Sequence, residues 1–134
     1  MKKILALLGL AVLFFTLCGC RAVRIEEGNR TPLSYTVAEF SQIPEEAQEL
    51  IREKKESEFQ LAYQRGEDLF LIKGYGRQMS GGYSIQVKEL SASSNAIFFE
   101  TKLIGPSEEV QGGEPSFPYI VIRTEYRDVP VQFQ

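Results

Sequence analysis

Both cysteines of the 134-residue chain, Cys18 and Cys20, stand at the end of one apolar run. That run goes unbroken from Ile4 to Phe15 and comes directly after Met1-Lys2-Lys3. A basic start, an apolar stretch of this length and a small residue before a cut site make a secretory leader that is removed. Ile4 to Leu17 is about fourteen residues, short of the roughly twenty that a spanning helix needs. The fold is therefore built from the residues beyond the leader. Cys18 leaves with the leader, so no cysteine pair remains to form a disulfide, even in an oxidising compartment. An apolar core has to carry the stability alone.

Leu17-Cys18-Gly19-Cys20 resembles the lipobox of bacterial lipoproteins. The resemblance implies cleavage before Cys20 and a diacylglyceryl group on its thiol. The mature chain is then expected outside the cytoplasm, held to the cell membrane or the outer membrane by lipid on Cys20. One acyl chain holds only marginally, at about 0.8 kcal/mol per buried methylene, whereas two or three hold firmly. The expected organisation is a leader at 1–19, a lipidated N-terminus and tether at 20–32, and one domain at 33–134. A flexible tether of a dozen residues reaches roughly 20 Å.

A mature chain of about 115 residues suits a single domain with a modest core. The 15 basic side chains less Lys2 and Lys3 leave 13 against 18 acidic ones, a net charge of −5. That balance disfavours nucleic acid and anionic headgroups as ligands. The chain has no histidine. This removes a Ser-His-Asp triad, a Cys-His pair and histidine metal sites. Glu45-Glu46, Glu67-Asp68 and Glu108-Glu109 are sequence neighbours whose side chains diverge on a helix or strand, so they read as solvated surface. No cofactor and no metal site is expected, and the reading favours a protein that is not an enzyme. A Ser-Lys hydrolase would need one of Lys54, Lys55, Lys73, Lys88 or Lys102 buried beside a serine.

The periodicities point to an α+β fold: a single domain, mainly antiparallel β-sheet of about seven strands, with one amphipathic helix at about 44–56 packed on it. Leu33 to Phe40 alternates apolar and polar and predicts a strand. Ile43 precedes proline and is pushed to extended geometry. Pro44 suits the first helical position. Glu45 and Glu46 favour the positive helix end, and Lys54 and Lys55 the negative one. Ala47, Leu50 and Ile51 form one stripe. Phe59, Leu61 and Tyr63 alternate, Arg65 to Asp68 turns, and Leu69 to Ile72 is a continuous apolar run expected to be covered on both faces. Further strands are expected at Tyr83–Leu90, Ala96–Leu103 and Tyr119–Ile122. Val129 to Phe133 closes the sheet at an edge, because Pro130 cannot donate to a ladder.

Two loops interrupt the strands. Gly74 to Tyr83 packs four glycines into its first nine residues. A phosphate cradle would need a helix next and a P-loop lysine, and neither is present. A twisted, bulged connection and a rigid loop shaped for a protein partner both remain. Gly105 to Pro118 is long for a compact domain, and such loops are functional or mobile.

Gly76, the run Ser80-Gly81-Gly82-Tyr83-Ser84-Ile85, a strand pair, and a Gly-Pro loop leading to Pro118-Tyr119-Ile120-Val121-Ile122 resemble the C-terminal domain of the PrcB family. Ile43-Pro44-Glu45-Glu46 also looks like small lipoproteins of that family. The resemblance spans about Leu69 to Ile122. It implies a bacterial lipoprotein that assists a surface subtilisin-like protease complex without being catalytic. The expected activity is therefore a membrane-anchored interaction module, an accessory or stabilising subunit for an exported protein, with a serine protease as the implied partner. The two loops would form the contact edge. Aromatic and arginine anchors dominate interfaces, so the expected protein-binding residues are Tyr75, Arg77, Met79, Ser80, Gly81, Gly82 and Tyr83. Tyr83 begins an alternating strand and equally suits the core. The alternative is a small β-rich protease inhibitor of the cell envelope, because chagasin-like inhibitors use a similar Thr-Gly-Tyr-type loop. A small-ligand binder is a third reading, with no cluster of ligand-type residues behind it.

Overall fold

A computed structural model describes residues 24–107 and 113–134. The leader, Cys20 and the interior of the second loop lie outside the described residues. The class read from the sequence stands: among the described residues one α-helix and eight strands make an α+β domain that is mainly β. The strands divide between two four-stranded sheets. The first sheet has the order β1 (Thr31–Pro32), β5 (Ser84–Ala92), β6 (Ile97–Ile104), β8 (Val131–Phe133). The second has the order β2 (Thr36–Val37), β7 (Tyr119–Glu125), β4 (Asp68–Tyr75), β3 (Glu58–Arg65). All pairings are antiparallel except β6 with β8.

The second sheet is the middle of three layers. Along β4, Leu69 and Leu71 turn to the first sheet while Phe70 and Ile72 turn to the helix. Along β7, Ile122 joins the first set and Val121 the second. Strand side chains alternate between faces, so a strand covered on both faces reads as an unbroken apolar run. Between the sheets, Leu90, Ala92, Ile97 and Phe99 complete one core. Ile43, Ala47 and Ile51 complete the other.

The helix α1 runs Glu45–Lys54, shorter than the expected span at both ends. Pro44 is its N-cap and not its first turn, with an extended ψ of 145° and a carbonyl that accepts the Gln48 N–H at 3.0 Å. Ala47 and Ile51 are buried as the stripe requires, whereas Leu50 stays half-exposed. The Gln48 amide donates to the carbonyls of Phe40 and Ile43, fixing the helix on the 3-10 turn before it. Tyr63 in β3 donates to the Glu46 carboxylate, tying helix to sheet.

Within the expected strand at Leu33–Phe40 only Thr36–Val37 pairs as a strand, and its end opens that 3-10 turn, Phe40–Gln42. Thr31–Pro32 pairs with β5 in one sheet and Thr36–Val37 with β7 in the other. The chain crosses between sheets here, and Leu33 packs into the core midway. The domain boundary drawn at Leu33 thus falls inside the first sheet crossing. The described part of the segment expected as a tether is clasped: Asn95 accepts the Glu26 N–H and donates to the Arg24 carbonyl, both at 2.8 Å. Arg30 lies 3.7 Å over the Phe98 ring and pairs with Glu89 at 2.9 Å. Phe98 faces away from the inter-sheet core and is fully buried beneath this lead segment.

Candidate functional site

The two glycine-bearing loops are two of the crossings between sheets. Strands β4 and β7 are neighbours, with Gly74 opposite Tyr119. Strands β5 and β6 are neighbours, with Ser84 opposite Ile104. The outbound crossing from Tyr75 to Ser84 and the return crossing from Ile104 to Tyr119 therefore leave from one end of the molecule. Their described parts are stapled together. Gln78 and Ser116 exchange two backbone hydrogen bonds, at 2.8 and 3.1 Å. The Ser116 hydroxyl donates to the Ser80 carbonyl at 2.6 Å, and the Tyr75 N–H donates to Pro118 at 3.0 Å.

Gly76 makes the outbound crossing feasible. Its φ is +73°, and a Cβ there would stand 3.0 Å from the Glu58 nitrogen and 3.1 Å from the Ser57 carbonyl carbon. Left-handed backbone and close approach to another backbone both favour glycine. The next residue, Arg77, donates its N–H to the Glu56 carbonyl at 3.2 Å. The crossing is thus pressed onto the connection between α1 and β3.

The seven expected contact residues separate by role. Gly74 and Tyr75 belong to β4, so the loop starts at Gly76. Tyr75 is half-buried, and its hydroxyl bonds Thr101 of the first sheet at 2.5 Å. It ties the two sheets together and is not a free anchor. Ser80 is buried, with its hydroxyl donating to the Gly81 carbonyl at 3.3 Å. It frames the loop. Arg77 is exposed, Met79 is 79 % exposed, and Gly82 is exposed at a φ of +84°. Gly81 and Tyr83 are half-buried. A Cβ on Gly105 would lie 3.7 Å from the Tyr83 ring, so Tyr83 spans to the return crossing.

Ile104 and Phe117 belong to this edge and escaped the sequence reading. Ile104 is 42 % exposed, at the foot of β6 opposite Ser84. Its face of β6 carries Glu100 and Lys102 before it, so an isoleucine in the polar phase was the available signal. Phe117 sits 5.1 Å from the Lys55 ammonium, which draws the end of α1 to the return crossing. The edge therefore presents apolar Met79 and Ile104 with Arg77 on a hydrogen-bonded frame.

The opposite end of β4 and β7 holds an open groove of about 570 Å³, lined by Tyr35, Glu67, Asp68, Arg123, Glu125 and Arg127 among others. Its charges are of both signs and it lies open to solvent. Among the described residues no cluster of three acidic or thiol groups could hold a metal ion. Lys73 pairs with Glu58 at 2.7 Å, with no serine between them.

The model of the family described as PrcB C-terminal matches residues 69–125. That stretch is β4 through β7, with both crossings inside it, and it agrees with the span read from the glycine and Pro-Tyr motifs. No curated protein and no solved structure matches the chain.

Proposed function

We propose that this chain, which carries a PrcB C-terminal region over residues 69–125, is a non-catalytic subunit that a lipid on Cys20 holds to the outside of a membrane, where it serves an exported protease. The family match supports the coarser part, a subunit related to a protease complex. Leu17-Cys18-Gly19-Cys20 behind an apolar run supports the anchor, and the lack of histidine supports an accessory role.

One observation carries the site. The matched region encloses both glycine-bearing crossings, and the hydrogen bonds between Gln78 and Ser116 fuse them into one edge. A rigid edge loses little conformational freedom on binding, which leaves more of the contact energy for affinity. Met79 and Ile104 supply the apolar centre and Arg77 a charged flank.

The test is crosslinking in intact cells and then capture of the C-terminally tagged chain. An exported serine protease is expected to copurify from wild type and to be lost from Met79→Asp/Ile104→Asp, with an unchanged melting midpoint showing that the fold survives. Capture of the same protease by that variant sinks the edge assignment. Adding purified chain to subtilisin-like and papain-like proteases separates the inhibitor reading, since an accessory subunit leaves hydrolysis unchanged.

A further inference from the structure

Strand β3 ends the second sheet, paired with β4 on one side only. Among the described residues no other segment hydrogen-bonds to the backbone from Phe59 to Gln64. Eight residues of regular strand are thus left with a free edge, and their register with β4 is continuous. Exposed edges template pairing with another chain unless they are short, bulged, charged or broken by proline. The other edge strands here are protected in those ways. β1 and β2 have two residues each and β8 three, behind Pro130. The free stretch of β5 carries a bulge at Lys88. Between Phe59 and Gln64, β3 has no bulge, no proline and no charge.

Both faces of β3 leave room for a neighbour. Gln60, Ala62 and Gln64 are exposed, because the first sheet does not extend over them. Phe59, Leu61 and Tyr63 pack under α1 yet remain half-exposed, so their outer sides lack apolar cover.

The strand is complementary to itself. Outward N–H and C=O groups come from every second residue, so a copy must set odd residues opposite odd ones. The same rule keeps the helices of both copies on one side. With Leu61 opposite Leu61 of the copy, Phe59 meets Tyr63, Gln60 meets Ala62, and Glu58 meets Gln64. Aromatic cross-strand pairs of this kind stabilise sheets. No like charges face one another, and the acidic start of each strand, Glu56 and Glu58, lies beside Arg65 at the end of the other. A surface that answers itself in this way is the mark of a two-fold contact.

We propose that β3 pairs antiparallel with β3 of a second copy about a two-fold axis at Leu61, joining the two second sheets into one of eight strands. The inference is independent of the protease reading, because it uses the edge of β3 and not the crossings.

Sedimentation of the detergent-solubilised full chain tests it. A concentration-dependent dimer is expected, and Gln60→Lys/Ala62→Lys is expected to raise its dissociation constant at least tenfold. Both positions are exposed, so an unchanged circular dichroism spectrum and melting midpoint show that the fold survives. In a chain carrying Cys18→Ser and Cys20→Ser, Leu61→Cys should give a disulfide-linked dimer on oxidation and Gln64→Cys should not. A monomer at every concentration with no Leu61→Cys dimer overturns the proposal, as does a dimer indifferent to the two lysines. Crosslinking of Leu61→Cys in cells to a different protein alone also overturns it, and assigns the edge to a foreign strand.

Discussion

Gly76 and Gly81 lie in one loop under different constraints. Gly76 has positive φ and backbone 3.0 Å from where a Cβ would sit, whereas Gly81 has nothing within 4 Å. Left-handed backbone costs a non-glycine residue about 1–2 kcal/mol. Gly76→Ala should therefore lower stability by at least that much in urea unfolding, and Gly81→Ala should leave the midpoint almost unchanged. A second residue-scale effect concerns Glu89. The Ser91 hydroxyl, and after it the Arg30 guanidinium, hold its carboxyl below the usual carboxylate range. A lowered folded value means that the interaction stabilises the protein at neutral pH and fades as pH falls through that value. Ser91→Ala should thus be less stable than wild type near neutrality, with the gap closing on acidification. Unfolding midpoints measured from pH 7 downward check both the sign and the closing of the gap. Neither the Arg30–Glu89 pair nor the press on Gly76 was legible in the sequence, because each joins residues far apart in the chain.

Among the elements, β4 and β7 show what sequence does reveal. Leu69 to Ile72 and Tyr119 to Ile122 are unbroken apolar runs because each strand has a core on both faces. Ile72 is fully buried, and truncating such a side chain costs about 2–5 kcal/mol. Ile72→Ala should therefore destabilise far more than Leu61→Ala on the half-exposed edge strand, as thermal unfolding of the two variants would show. Strand β5 shows where the pattern misleads. Its run reads as clean alternation to Leu90, yet Val87 and Leu90 both face the inter-sheet core. The bulge at Lys88 resets the phase, turning Glu89 outward to Arg30. The division into two sheets was hidden for a related reason: alternation tells which face a residue takes, not which strand lies beside it. The pairings of Thr31–Pro32 and Thr36–Val37 are too short to leave any periodicity. At the candidate edge, glycine spacing located the outbound crossing, but Tyr75 and Ser80 proved to be frame, and the out-of-phase Ile104 went unread.

For the whole molecule, the anchor is the property most directly open to test. Cys20→Ser should move the chain from the membrane pellet to the soluble fraction, or leave it held by an uncleaved leader, which an unprocessed mass would reveal. Retention at the processed mass would remove the lipid from the account. The clasp of Asn95 on Arg24 and Glu26 adds a dimension to this. Four residues from Cys20 to Arg24 extend at most about 14 Å. On the proposed lipid at Cys20, the clasped turn at Ser93–Asn95 is therefore held within reach of the bilayer. The fused crossings lie at the far end of β5, about 30 Å away for nine residues of strand. Under that proposal the chain is less a balloon on a string than a post, and the fused crossings reach only those partners that present themselves at that level.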